Sequence, residues 1–216
     1  MNEKLIWDFL IEKTKNSYGT AALMGNLMAE SSLNPKCVTG NKNANYVQDA
    51  DRGAIDFVHD GAAFGLVQWC YWSRKEGLKN YAVSKNKSVV DIYIQIEYLW
   101  IELQSYKTAF NAVMEATSIR EASDVVMLKY EKPANTSEAA KKRRADYGKM
   151  FFDQFNTKMV TAKENVNIRA GNDTKYAKIG TLKKDNSLEW VATAENGWHA
   201  VKMKDRVGWV SGEFTR

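Results

Sequence analysis

The sequence predicts an α+β chain in two parts, a mainly helical domain with a small β-hairpin region, followed by a small all-β barrel. Three observations carry this. From residue 3 to about 155, apolar residues recur mostly at helical spacing. One polar interruption, residues 36 to 62, breaks that spacing and leads into a compact aromatic run. Beyond Asn156 the helical spacing gives way to short alternating runs divided by turn residues. A chain of 216 residues, 44% of them apolar, suits one medium domain and one small one. The expected boundaries are 1–156 for the helical domain, 157–163 for a linker and 164–216 for the barrel.

The first residues, Met1 to Leu10, lack a positive start, an unbroken apolar run and a small-residue cleavage site, so they read as an amphipathic helix and not a secretory signal. A second helix runs through Leu23 and Leu27 to Glu30, three positions that share one stripe. Pro35 ends it, because proline cannot continue a helix and biases Asn34 away from helical geometry. The polar stretch 36–62 is longer than an ordinary connection, which marks it as a candidate functional loop. Next, Ala63 to Trp72 has strand character and is expected to form a hairpin lining a cleft. Ser88 and Asp91 open a helix through Ile92, Ile96, Leu99, Trp100 and Leu103, expected to be the central core helix. Ser118 opens another that ends before Lys132-Pro133, and a last helix runs from near Ser137 to Phe155. Its run Lys141-Lys142-Arg143-Arg144 reads mainly as a solvated face, since four adjacent residues cannot all point one way on a helix. The strands of the barrel are expected around Val166–Ile168, Ile179–Leu182, Leu188–Ala192 and Trp198–Val201, with turns at Ala170-Gly171-Asn172, Asp185-Asn186 and Asn196-Gly197.

A formal net charge of +5 favours a polyanionic partner, and seven Trp with ten Tyr favour a ligand that stacks on aromatic faces. Two cysteines are too few for a disulfide framework, and His59 and His199 fall in different domains, so no metal site and no cofactor are expected. No stretch approaches the roughly 20 apolar residues of a membrane span. The position that stands out is Glu30, a carboxylate in the last turn of an apolar stripe. Apolar surroundings and the negative end of the helix dipole would both keep it protonated, and a protonated carboxyl can serve as the general acid of a glycosidase. A second carboxylate is available from Asp49, Asp51, Asp56 or Asp60, of which Asp60 adjoins the turn into Phe64 and is the best placed. A carboxyl separation of roughly 6.5 to 9.5 Å would imply inversion and about 5 Å retention. Cys37 or Cys70 with His59 keeps a cysteine-histidine hydrolase open as a rival.

The segment Met24 to Pro35 resembles the signature of the phage tail lysozyme family and related phage endolysin muramidases, in which a helix ends on the catalytic Glu. Phe57 to Trp69 is similar to that family's Gly-Leu-x-Gln-Trp hairpin, while Tyr130-Glu131-Lys132-Pro133 and the helix from Arg144 to Phe155 extend the likeness over residues 3 to 155. Ser32 and Phe64 stand where many relatives have Gly and Tyr. The resemblance implies a lysozyme-like fold that cuts the glycan strand of peptidoglycan, with Glu30 as acid and Gln68 lining the sugar cleft; Asp60 is expected from its position as the second carboxylate, and Tyr71, Trp72 and Tyr130 are expected to contact the substrate. A lytic transglycosylase on the same substrate and a non-enzymatic wall binder stay open as alternatives. The tail from Val166 to Val210 resembles bacterial Src-homology-3-like domains of cell-wall hydrolases, which implies tethering to the wall. The expected partners are peptidoglycan and associated wall polymers, with no nucleic acid and no membrane insertion; the oligomeric state is not legible in the sequence. Without a signal, such a product would wait in the host cytoplasm for a separate permeabilising protein.

Overall fold

A computed structural model describes residues 2–40 and 45–216, so Met1 and residues 41–44 of the polar stretch lie outside the described residues. The chain divides into two compact units, Met1–Phe155 and Asn156–Arg216.

In the first unit, α1 (Asn2–Thr14) buries Ile6, Trp7, Leu10 and Thr14 along one stripe and carries the exposed pair Lys4–Asp8 at 2.5 Å on another. The next helix, α2 (Ser17–Ser31), is capped by Asn16, whose side chain accepts from the amides of Tyr18 and Gly19. Every residue from Gly19 to Leu27 is buried, so α2 occupies the centre of the domain, the place the sequence had suggested for α5 (Ile92–Leu103). The reason is side-chain size. A Cβ at Gly19 would meet the carbonyl oxygen of Val113 on α6 (Lys107–Met114) at 1.9 Å. One at Gly25 would meet that of Arg144 on α8 (Glu138–Phe155) at 2.2 Å. Glycine therefore lets two helices touch α2 through their backbones, which a bulkier residue forbids. Left-handed Ser32 (φ 53°) ends the helix, returning its amide to Met28.

Between α2 and α5 the chain forms β1 (Val38–Thr39), α3 (Tyr46–Asp51), β2 (Ala63–Phe64) and α4 (Trp72–Ser84). β1 and β2 pair antiparallel, Val38 opposite Phe64. The expected strand from Ala63 to Trp72 is shorter than predicted. After Phe64 the chain makes a tight turn back to Trp69, whose backbone bonds Phe64 in both directions at 2.9 and 3.0 Å, and Trp72 already begins α4. Gly65 sits there at φ 73°, and a Cβ on it would meet Gln95 Oε1 at 2.6 Å. The cap of α5 is Asp91, not Ser88; Asp91 accepts from the amides of Tyr93 and Ile94, while Ser88 bonds Asp51. α4 and α6 lacked a readable stripe because each buries only two or three side chains. α7 (Ile119–Val126) begins at its expected cap, Ser118, and continues into a π-helical turn, Met127–Glu131.

In the second unit, residues expected to be a linker supply a strand: β3 (Met159–Thr161) pairs with β6 (Ser187–Thr193). With β4 (Val166–Arg169), β5 (Lys178–Leu182), β7 (Trp198–Lys202) and β8 (Val207–Ser211) it forms a six-stranded sheet ordered β3-β6-β7-β8-β4-β5. Thr161 and Arg216 exchange backbone hydrogen bonds, tying the first strand to the chain end. Val160, Ala162, Val166, Ile168, Leu182, Val201 and Val210 form its own core, which explains how a short sheet holds together without disulfides.

Candidate active site

Three segments converge on the C-terminal end of α2. The first is the end of the helix, where the Glu30 side chain is 17% exposed. The second is α8, from which Arg144, 5% exposed, donates through Nη2 to Glu30 Oε1 at 2.6 Å. Nη1 of the same guanidinium reaches Asn26 Oδ1 at 3.2 Å, and buried Asn26 donates on to Ser123 of α7. The third is the turn Gly65–Gln68, joined to α2 by Ser31, whose hydroxyl donates to the Leu66 carbonyl at 2.9 Å. Gln68, left-handed at φ 52°, donates through Nε2 to the carbonyls of Gly65 and Cys37 at 2.9 and 3.2 Å. Non-glycine residues in this region of backbone space persist only where the surroundings impose it.

Two buried polar residues of α5 hold these pieces. Gln95 accepts from the Leu66 amide at 2.8 Å and donates to the carbonyls of Pro35 and Val89. It thereby joins the segment after α2, the hairpin turn and the approach to α5. Glu102 accepts from Trp69 Nε1 at 2.9 Å, from the Tyr130 hydroxyl at 2.6 Å and from Arg74 at 2.7 and 2.8 Å. Burial works against the Arg74 charge, but Glu102 beside it outweighs that and holds the guanidinium firmly protonated. Burial, and then the Glu102 charge, push the Tyr130 hydroxyl well up.

Glu131 follows Tyr130 at the end of the π-helical turn. Burial and, next in size, the Glu30 charge hold its carboxyl well above the ordinary carboxylate range, with Arg74 and Arg144 acting the other way. Of the acidic groups around the site, the one driven toward its neutral form is Glu131.

Residues 1–155 match the phage tail lysozyme family, and residues 164–216 match the bacterial SH3 domain. The chain belongs to the phage tail lysozyme family. Among curated relatives, Morphogenesis protein 1 of Bacillus phage B103 is 23% identical over 193 residues, covering 84% of this chain and 48% of the relative. The chain therefore spans about half the length of the curated relative it matches.

Within this lysozyme-family domain the expected residues fall in different places. Glu30 lies in the last turn of α2 as predicted, and the guanidinium of Arg144 is bonded to its carboxyl, a charged partner that the expected apolar surroundings did not include. Asp60 accepts from Lys75 Nζ at 2.5 Å, and Lys75 is wholly buried. The same ammonium donates to the Tyr46 hydroxyl and the Ala62 carbonyl, so Asp60 is first of all the counter-charge of a core lysine. Asp49 pairs with Arg52, Asp51 with Ser88 and the Val89 amide, and Asp56 with His59. Tyr130 is a correction: at 1% exposed, with its hydroxyl on Glu102 and its ring under Arg74, it belongs to the core behind the site and not to a sugar-contacting wall. Tyr71 and Trp72 are 63% and 46% exposed, and the His59 ring stacks on Trp72 at 6.2 Å, giving an open aromatic platform. Trp69 is fully buried.

Sequence reasoning missed Arg144, Glu131, Gln95 and Glu102. Arg144 was hidden in a basic run whose other members are partly or fully exposed. Glu102 and Gln95 had a usable signal, since both lie in the helical register of the buried Ile94–Leu103 stripe. Among the described residues, no group of three or more His, Cys, Asp or Glu side chains could hold a metal ion, and no helix is long and apolar enough to cross a membrane. Cys37 and Cys70 are free thiols.

Proposed function

We propose that this protein hydrolyses the glycan backbone of bacterial peptidoglycan, with Glu30 protonating the glycosidic oxygen and the C-terminal domain holding the enzyme to the wall. The observation that carries this reading is the joint anchoring of Glu30 by Arg144 and of the α2 end by the Gly65–Gln68 turn. A carboxyl fixed at the meeting of a helix end and a hairpin turn is positioned for proton transfer to a bound saccharide. Family membership supports the same chemistry. Asp60 is the proposed second carboxylate, orienting water or stabilising the positive sugar in addition to its structural bond with Lys75. Tyr71 and Trp72 would stack on sugar rings, and Gln68 would shape the cleft through the turn it holds. A net charge of +5 suits an anionic wall, and attraction of this kind weakens with added salt.

Glu30→Gln is the direct test. It should abolish clearing of purified wall while the variant still folds and binds wall, with a melting temperature lowered because buried Arg144 loses its counter-charge, and full activity in the variant refutes the assignment. Mass spectrometry of the digest then separates hydrolysis, which leaves reducing ends, from lytic transglycosylation, which leaves an anhydro sugar.

The family description and the name of the curated relative favour a second reading of the setting, in which the protein opens the wall as part of the virion and not as a lysis-stage enzyme freed by a separate permeabilising protein. Immunoblotting of purified virions decides between them.

A further inference from the structure

The second unit carries most of the chain's excess charge. Residues 156–216 hold eleven Lys and Arg against seven Asp and Glu, a formal +4 out of +5 for the whole chain. Three of those acids are in ion pairs, Asp173 with Lys175, Asp185 with Arg216 and Glu189 with Lys202. Among the described residues the ammonium groups of Lys183 and Lys204 have no such partner, and both line one cleft.

The cleft has a volume of about 620 Å³, the size of a ligand site, and lies between the turn joining β5 to β6 and the turn joining β7 to β8. Buried Ile168 and half-buried Leu188 and Met203 form an apolar floor, while exposed Lys183, Asn186 and Lys204 form the rim. The two lysines stand 21 positions apart in the chain, so folding brings them to one place. Backbone bonds fix both turns. In the first, the Lys184 amide donates to Asn165 Oδ1 at 2.9 Å, the Asn186 amide to the Lys183 carbonyl at 3.0 Å, and the amide of left-handed Asp185 (φ 61°) to the Ala162 carbonyl at 2.9 Å. In the second, the Met203 amide donates to the Arg206 carbonyl at 2.8 Å. A rim ordered in advance strengthens binding, since the backbone has little freedom left to lose.

Asp185 is the acid of this cleft, and it faces Arg216 at 3.4 Å, which leaves Lys183 and Lys204 as uncompensated cations. Like charges on one cleft repel until an anion lies between them. Lysine binds phosphate as a point charge with three donors, and the apolar floor suits carbon and not charge. The matching ligand therefore alternates phosphates with short carbon segments. The unit's other cleft, lined by Glu164, Glu213 and Arg169 among others, carries more acid than base and does not suit it.

We propose that the cleft between Lys183 and Lys204 binds a phosphodiester polymer of the wall, with phosphates on the two ammonium groups and polyol carbons on Ile168, Leu188 and Met203. This rests on the reading of the C-terminal domain as a wall tether. It gives that tether a ligand other than the glycan cut by the first unit, so the enzyme stays on the wall while the glycan is removed.

The test titrates the full wild-type chain, labelled with 15N, with soluble poly(glycerol phosphate). Amide shifts should concentrate at residues 181–188 and 203–204. Lys183→Gln with Lys204→Gln, both at exposed positions and expected to melt as the wild type does, should weaken Kd by about tenfold, the loss of two exposed ion pairs, and should reduce the slope of log Kd against log salt by about one or more. Shifts centred elsewhere overturn the site. So does an equal loss in Lys175→Gln with Lys178→Gln, which removes the same charge outside the cleft. Equally tight binding of single-stranded DNA with the same number of phosphates overturns the polyol polymer as the occupant. On purified wall, hydrofluoric acid strips phosphodiester polymers, and sedimentation of the Glu30→Gln protein with stripped wall should be about tenfold weaker than with intact wall; equal sedimentation overturns the proposal. If the protein does not sediment with intact wall, the tether reading falls, whereas the titration decides the cleft by itself.

Discussion

Arg144 and Glu30 lie 114 positions apart and meet at 2.6 Å. The guanidinium also holds Asn26, one turn earlier on α2, so a single buried side chain of α8 fixes both the carboxylate and the helix that presents it.

Removing that cation has a definite cost. Arg144→Met leaves Glu30 unpaired in a part-buried place, and breaking a buried pair from one side costs about 3 kcal/mol. Urea denaturation should show this loss, with wall clearing abolished. Arg144→Lys should recover part of the stability but less of the activity, because lysine cannot bridge Glu30 and Asn26 with one planar group.

Glu102→Gln keeps the shape of the hub but removes its charge. The buried guanidinium of Arg74 then loses its counter-ion while Trp69 and Tyr130 keep an acceptor, so destabilisation of about 3–5 kcal/mol is expected by chemical denaturation. Because Trp69 ends the hairpin turn and Tyr130 precedes Glu131, amide exchange should quicken in both segments together.

Gly25→Ala tests the contact that lets Arg144 reach its partners. The new methyl would stand 2.2 Å from the Arg144 carbonyl and 2.6 Å from the Gly148 amide, so α8 must shift. Overpacking of this kind costs about 1–3 kcal/mol. The melting temperature and the lytic rate should fall together, whereas Gly53→Ala, where the Cβ meets nothing within 4 Å, should cost stability only through the left-handed backbone at φ 67° and leave the rate unchanged.

Glu131 gives stability a pH dependence of defined sign. Its folded carboxyl is held well above the ordinary value of 4.5, so between 4.5 and the raised midpoint the folded state binds more protons than the unfolded state. Stability from this group is therefore fully present below pH 4.5 and is lost as pH rises toward the raised midpoint. Glu131→Gln removes this dependence, so the melting temperature of the variant minus that of the wild type should increase from pH 4.5 to pH 7.5. A difference that is flat across this range shows that Glu131 ionises alike in both states.

The sequence by itself determined the class of fold, the division into two units, the helix that ends on Glu30 and the caps at Ser118 and near Ser137. These follow from local rules, since periodicity records which face turns inward and a cap needs only residues a few positions away. It did not separate the ordinary members of a basic run from Arg144, did not choose between Ser88 and Asp91, and gave Tyr130 to the sugar when packing gives it to Glu102. Only the tertiary structure decided that Glu30 meets a guanidinium, because that encounter depends on how closely α2 and α8 approach. That distance is set by Gly25 and Gly148, where the absence of a side chain lets the backbones touch. A local pattern fixes the direction a side chain points, and packing fixes what it meets there.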